Sequence, residues 1–190
     1  MKLTLSQLDL VPWYVLVVYW AISFLRVKQT KIEQNSWERM AHVSAMAIAF
    51  LLLFTQSLRI GPLGSRFMPE SASMQESGIF LTSLGVAFAI WARYSLGQFW
   101  SARVTLKVDH QLIRSGPYAY VRHPIYTGLL LATVGTAFVV GEWRAVVAVF
   151  LTLVAFSHKA RKEEALLFSK FGDQYQEYRR HTGFLTPRFR

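Results

Sequence analysis

Apolar residues in this chain come in long runs separated by short charged blocks. Residues 8–25, 40–58 and 78–100 form three such runs, with Arg93 a charge inside the third. Residues 125–157 form a fourth, interrupted by Gly141-Glu142-Trp143-Arg144. A hydrocarbon core of about 30 Å takes roughly 20 helical residues to cross, and backbone groups in lipid must be bonded within the segment. Each run therefore predicts a helix. The fourth is too long for one crossing, and its interruption divides it into a hairpin of 125–140 and 145–157. The pattern predicts an all-α integral membrane protein with about five transmembrane helices, the last two a helical hairpin. Residues 158–181 continue the fifth helix as a tail, with a break at Phe171-Gly172-Asp173, and Thr186-Pro187 ends the ordered chain. Segment 59–77 reads as an irregular outer loop. The whole of 1–190 reads as a single domain, with 1–77 supplying two N-terminal membrane helices and that loop.

Composition sharpens the membrane reading. Charged residues are 17% of the chain, against about 25% in soluble domains. The first run reads as a retained anchor and not a cleaved signal peptide, because only Lys2 precedes it, Asp9 interrupts it, and no small-residue cleavage site follows Leu25. The net charge is +10, which admits nucleic acid as a partner until the charges are placed. Four Lys and Arg fall on the side of the N-terminus and loop 59–77 (Lys2, Arg59, Arg66, Arg144), whereas sixteen fall in 26–39, 101–124 and the tail. Positive charge faces the cytoplasm, so the tail and loop 101–124 are expected inside and the N-terminus outside. Topology and anionic lipid then account for the basic excess, and no nucleic-acid partner is expected. The short chain and simple outer half suggest a prokaryotic protein of the inner (plasma) membrane. Cysteine is absent, which excludes disulfides, thiolate metal sites, a catalytic thiol and S-acylation, and no metal is expected.

The informative polar residues gather at the cytoplasmic ends of the last three helices. Gly116-Pro117 is a turn dipeptide. Pro124 is placed to be the first residue of the fourth helix, with His123 as its cap, so free N–H groups and a positive dipole end would meet an anion there. On the tail, Lys159 and Glu163 are spaced i, i+4, and Arg161 and Glu164 i, i+3. Spacing alone reads these as surface ion pairs worth little, and Tyr118, Tyr120 and Tyr126 as an aromatic belt. Arg93 either snorkels to the interface or faces protein.

Together these residues carry more. Gly116-Pro117-Tyr118, then Arg122-His123-Pro124-Ile125-Tyr126-Thr127-Gly128, resembles the hallmark of the isoprenylcysteine carboxyl methyltransferase family. So does the later series Glu163-Glu164, Phe171-Gly172, Tyr175, Tyr178, Thr182 and Pro187. The resemblance spans residues 93–190, and 78–190 then reads as the catalytic core. It implies transfer of a methyl group from S-adenosylmethionine, leaving S-adenosylhomocysteine, to a lipophilic small-molecule or prenylated acceptor. It also implies that His110, Gln111, Leu112 and Ile113, then Tyr118, then His123, Pro124, Ile125 and Tyr126, and finally Glu163 contact the cofactor. A glutamine used by the family aligns with Arg103, a departure from the pattern. A basic residue that binds substrate falls on Lys159 or Arg161. Arg122, His123 and Glu164 are the expected catalytic residues.

The sulfonium methyl is intrinsically electrophilic, so orientation and a dry pocket are the main requirements. A carboxylate acceptor needs no general base, whereas an amine or thiol would call on Glu164 or His123. A phospholipid amine, a small thiol and an isoprenoid acid all stand as acceptors. An NADPH-dependent membrane reductase is a rival enzyme class, and a non-catalytic scaffold or small transporter ranks below it. The Gly-rich strand-turn-helix signature of soluble nucleotide folds is absent, consistent with a cofactor site built from membrane helices.

Overall fold

The computed structural model describes residues 8–24, 36–97 and 112–189. Among these, six helices follow one another: α1 (Leu10–Phe24), α2 (Ser36–Phe54), α3 (Ala72–Leu96), α4 (Pro124–Val140), α5 (Trp143–Phe171) and α6 (Asp173–His181). Three of them, α2, α3 and α5, are long and apolar enough to cross a membrane, and α1 and α4 are shorter apolar helices. The protein is thus an all-α integral membrane protein.

Several boundaries differ from expectation, each for a local reason. α3 begins at Ala72 and not at 78, because Ser71 caps it by accepting from Met74 N at 3.3 Å and the polar residues that follow are compatible with a helix outside lipid. α2 likewise begins four residues early, at Ser36, and gives way after Phe54 to one tight turn, Gln56–Leu58. α5 starts at Trp143 and runs for 29 residues through the expected membrane boundary without a break. It ends where expected, since Gly172 takes φ 50°, a conformation that costs glycine little and other residues more. Ordered contacts continue past Thr186-Pro187, because Arg188 N donates to Tyr120 O at 3.0 Å.

The antiparallel pair α3/α4 is the densest helix contact among the described residues, and glycine makes it possible. A Cβ on Gly85 would lie 2.4 Å from Ala132 N, and one on Gly128 2.6 Å from Gly85 O. Two turns away the pairing repeats: a Cβ on Gly135 would meet Gly78 O at 2.6 Å, and one on Gly78 would meet Gly135 O at 2.7 Å. Membrane helices lack a hydrophobic drive toward one another, so close backbone approach over small residues is their main attraction.

Polar residues fix the other helices to this pair. The hydroxyls of Thr82 and Thr136 lie 2.9 and 3.3 Å from Asp9 Oδ1, and Trp13 Nε1 donates to Thr136 Oγ1 at 3.0 Å. Asp9, Thr82 and Thr136 are buried, so each polar group finds its partner inside the bundle. Arg144, also buried, pairs with Glu142 at 2.6 Å and donates to the carbonyls of Leu52, Leu53 and Thr55, which end α2. Of the two readings of Arg93, the inward one holds. It is 3% exposed and donates to Gly97 O at 2.8 Å and Ser23 O at 3.1 Å, closing the ends of α3 and α1. The Arg93 contacts join the ends of α1 and α3 at the end of the bundle where Ala92 packs on Tyr118 and Ile125 and the functional residues lie, whereas the Asp9 and Arg144 contacts tie the opposite end.

Candidate functional site at the α4 and α5 helix ends

The chain reaches α4 through a tight turn, Gly116–Ala119, and Pro124 opens the helix with His123 at its cap. With no N–H on Pro124, the amides of Ile125 and Tyr126 are the donors left free by the helix. α5 rises beside them and presents Glu163 and Glu164 on two faces. Tyr126 Oη donates to Glu163 Oε1 at 2.6 Å, and His123 Nδ1 stands 3.6 Å from Glu163 Oε2. Glu164 Oε1 takes Arg122 Nε at 2.5 Å and lies 3.3 Å from His123 Nε2, while Arg179 reaches its other oxygen at 3.7 Å. His123 therefore spans both glutamates. Its ring stacks on Tyr126, which stacks in turn on Phe156 at 4.9 Å. Lys159 Nζ sits 5.6 Å over the Tyr126 ring.

The tail folds back over this cluster. Arg122 N donates to Gly183 O at 2.9 Å and Gly183 N to Tyr120 O at 3.0 Å, a short parallel pairing. Arg122 Nη1 donates to Thr182 O at 2.5 Å, Thr127 Oγ1 to Leu185 O at 2.7 Å, and Tyr178 Oη to Tyr118 O at 2.7 Å. Arg122 thus clamps the tail and Glu164 at once.

His123 is 6% exposed. Burial alone would lower its pKa, but the carboxylates of Glu163 and Glu164 outweigh it and raise the value above the ordinary 6.5. A raised folded value means stabilisation that is complete below about pH 6.5 and lost as pH climbs through the folded value. Thermal stability should accordingly fall from neutral to mildly alkaline pH, and His123→Gln should flatten that fall. A wild-type profile no steeper than that of the variant would refute the charged clamp.

Leu112 and Ile113 lead into the turn at intermediate burial, and Ile113 packs against the buried cluster of Ala92, Tyr118 and Ile125. Arg103, His110 and Gln111 lie outside the described residues. The two candidate substrate cations separate: Lys159 shares the Tyr126 side with Glu163, whereas Arg161 lines a cavity on the Glu164 side. A second, apolar cavity of about 460 Å³ lies between α1, α2, α4 and α5, lined by Trp13, Trp20, Met46, Phe50, Leu129 and Phe156. Phe156 joins it to the polar cluster through Tyr126. Neither this cavity nor the paired glycines figured in the expectations, although Gly78/Gly85 and Gly128/Gly135, seven residues apart in adjacent apolar runs, were a legible signal.

A bundle of apolar helices whose one end carries a His-Pro helix start, two glutamates and a returning tail defines a membrane protein with a polar site at one end of its helices. The Isoprenylcysteine carboxyl methyltransferase (ICMT) family model matches residues 78–169. A protein-S-isoprenylcysteine O-methyltransferase of Schizosaccharomyces pombe is 38% identical over 109 residues, 56% of this chain and 46% of that protein. A probable protein-S-isoprenylcysteine O-methyltransferase of Oryza sativa subsp. indica is 30% identical over 140 residues, 72% of this chain and 71% of that protein. A solved structure of the eukaryotic intramembrane Ras methyltransferase ICMT has the same fold, with a TM-score of 0.57 and 21% identity over 95% of this chain and 67% of that one. The chain belongs to the isoprenylcysteine carboxyl methyltransferase family. It spans about half the length of the fission-yeast relative.

Proposed function

We propose that this protein transfers a methyl group from S-adenosylmethionine to a carboxylate on a lipophilic acceptor of the isoprenylcysteine kind, at the cytoplasmic surface of its membrane. The observation that carries the reading is the joint position of Glu163, Tyr126 and His123 at the free amides of α4, one ring away from the apolar cavity.

The donor set suits the cofactor. S-adenosylmethionine supplies an electrophilic methyl on a sulfonium, beside an ammonium and a carboxylate. Glu163 would hold the ammonium, and the amides of Ile125 and Tyr126 at the positive helix start would hold the carboxylate. The Tyr126 ring, which already carries a cation on its face, is suited to a sulfonium. Lys159, on the same side, would orient the acceptor carboxylate, and the apolar cavity beyond Phe156 would take its hydrocarbon. Arg122 acts as a positioning residue that holds the tail and Glu164.

The state of the acid–base groups favours a carboxylate among the acceptors. Glu164 is engaged by Arg122, His123 and Arg179, and His123 is held between Glu163 and Glu164. Neither is free to take a proton from an amine or thiol, and a carboxylate needs no such base. The excess of Lys and Arg at this end supports a cytoplasmic site.

The test is calorimetry of the detergent-solubilised protein with S-adenosylhomocysteine and NADPH, followed by methyl transfer to farnesylcysteine, a phospholipid amine and a small thiol. Micromolar binding of S-adenosylhomocysteine and a base-labile ester on farnesylcysteine are the expected results. Binding of NADPH alone, or methylation confined to the amine or thiol, would overturn the reading.

A further inference from the structure

On the face of α5 turned away from Glu163 lies the cavity that Arg161 lines, of about 520 Å³, bordered also by Arg122, Arg179, Glu164, Phe168 and Phe184. Its charges do not balance. Arg122 is committed to Glu164 and to the carbonyls of Thr182 and Arg179. Glu164, held by Arg122 and His123, has little charge left to offer. Arg179 reaches it only at 3.7 Å with its side chain half exposed. Arg161 is exposed and makes no ion pair or hydrogen bond among the described residues. Two guanidinium groups thus face one cavity with their donors largely unused, in the fork geometry that grips phosphate.

The level of the cavity is informative. The apolar stretch of α5 ends near Ser157, and Arg161 follows four residues later, about 6 Å along the axis. The polar layer outside the hydrocarbon core is about 5–7 Å deep on each side, so Arg161 stands among the lipid headgroups.

We propose that this cavity binds the headgroup phosphate of an anionic phospholipid, gripped by Arg161 and Arg179. The site is separate from the methyl-transfer reading and stands without it.

The test is native mass spectrometry of the full chain released from nanodiscs of phosphatidylcholine, alone or mixed with phosphatidylglycerol. One phosphatidylglycerol is expected to stay bound through delipidation while phosphatidylcholine is lost. Each cation near a membrane surface is worth roughly a factor of five for an anionic lipid, so Arg161→Gln with Arg179→Gln should weaken retention on the order of thirtyfold. Arg161→Lys should keep most of it, and Arg180→Gln, outside the cavity, should keep all of it. Equal retention of both lipids, or undiminished retention in the double variant, would overturn the proposal. Displacement of the lipid by inorganic phosphate at equal affinity would make this a free-anion site and would overturn it as well.

Discussion

Glu163→Gln is expected to lower affinity for S-adenosylhomocysteine on the order of a hundredfold, with the fold intact. Removing the charge from a half-enclosed carboxylate takes away the partner of a ligand ammonium, and such losses run to about 2–5 kcal/mol. Glutamine keeps the length of the side chain and can still accept from Tyr126 Oη, now 2.6 Å from Glu163 Oε1. The thermal transition of the ligand-free protein should fall only modestly, since Glu163 is one of the two carboxylates beside His123. His123→Ala should lose binding to a similar degree, but with a lower transition, because it also frees Glu164 from one of its cations. Calorimetry on both variants decides the matter. An affinity within threefold of wild type in Glu163→Gln would remove Glu163 from the cofactor site, whatever the reaction proves to be.

The second large effect concerns stability alone. Gly85→Val should destabilise the protein by about 3 kcal/mol or more, at the upper end of what overpacking costs. The first added carbon would already fall 2.4 Å from Ala132 N and 2.5 Å from Gly128 O. Those atoms are backbone in a second helix and cannot rotate aside, so α3 and α4 must part along their length. Ala87→Val, on the exposed side of the same helix, adds more bulk to no close neighbour and should stay within about 0.5 kcal/mol of wild type. Thermal unfolding in one detergent compares the two. Equal transitions would mean that the helix contact yields more readily than its geometry implies.

Both effects bear on what the amino-acid pattern reveals. The apolar runs and the Gly141-Glu142 interruption located the three candidate spans and the two shorter apolar helices among the described residues, because lipid leaves the backbone no alternative to a helix. Helix starts were read too late at Ser36 and Ala72, since polar residues there mark the edge of lipid and not the edge of the helix. For Glu163 and Glu164 the limit was different. Spacing pairs each with a cation on its own helix, but Glu164 is met by Arg122 and Arg179 from distant segments. Local periodicity carries no information about such partners. The ordered motif does, since it joins His123, Tyr126 and Glu163, which meet in the fold. Arg103, His110 and Gln111 lie outside the described residues, and their part in cofactor binding stays a proposal.

The returning tail has a consequence for biosynthesis. Residues 120–127 of the polar site rest on residues 178–185, through Gly183, Thr182, Leu185 and Tyr178. Chains emerge from the ribosome N-terminus first, so the five apolar helices leave it ahead of the segment that closes the site. A nascent chain has its membrane anchor early and its pocket last. Nonsense mutations or proteolytic nicks between Phe171 and Tyr178 would leave a protein that sits in the bilayer with Arg122 and Thr127 missing their tail partners.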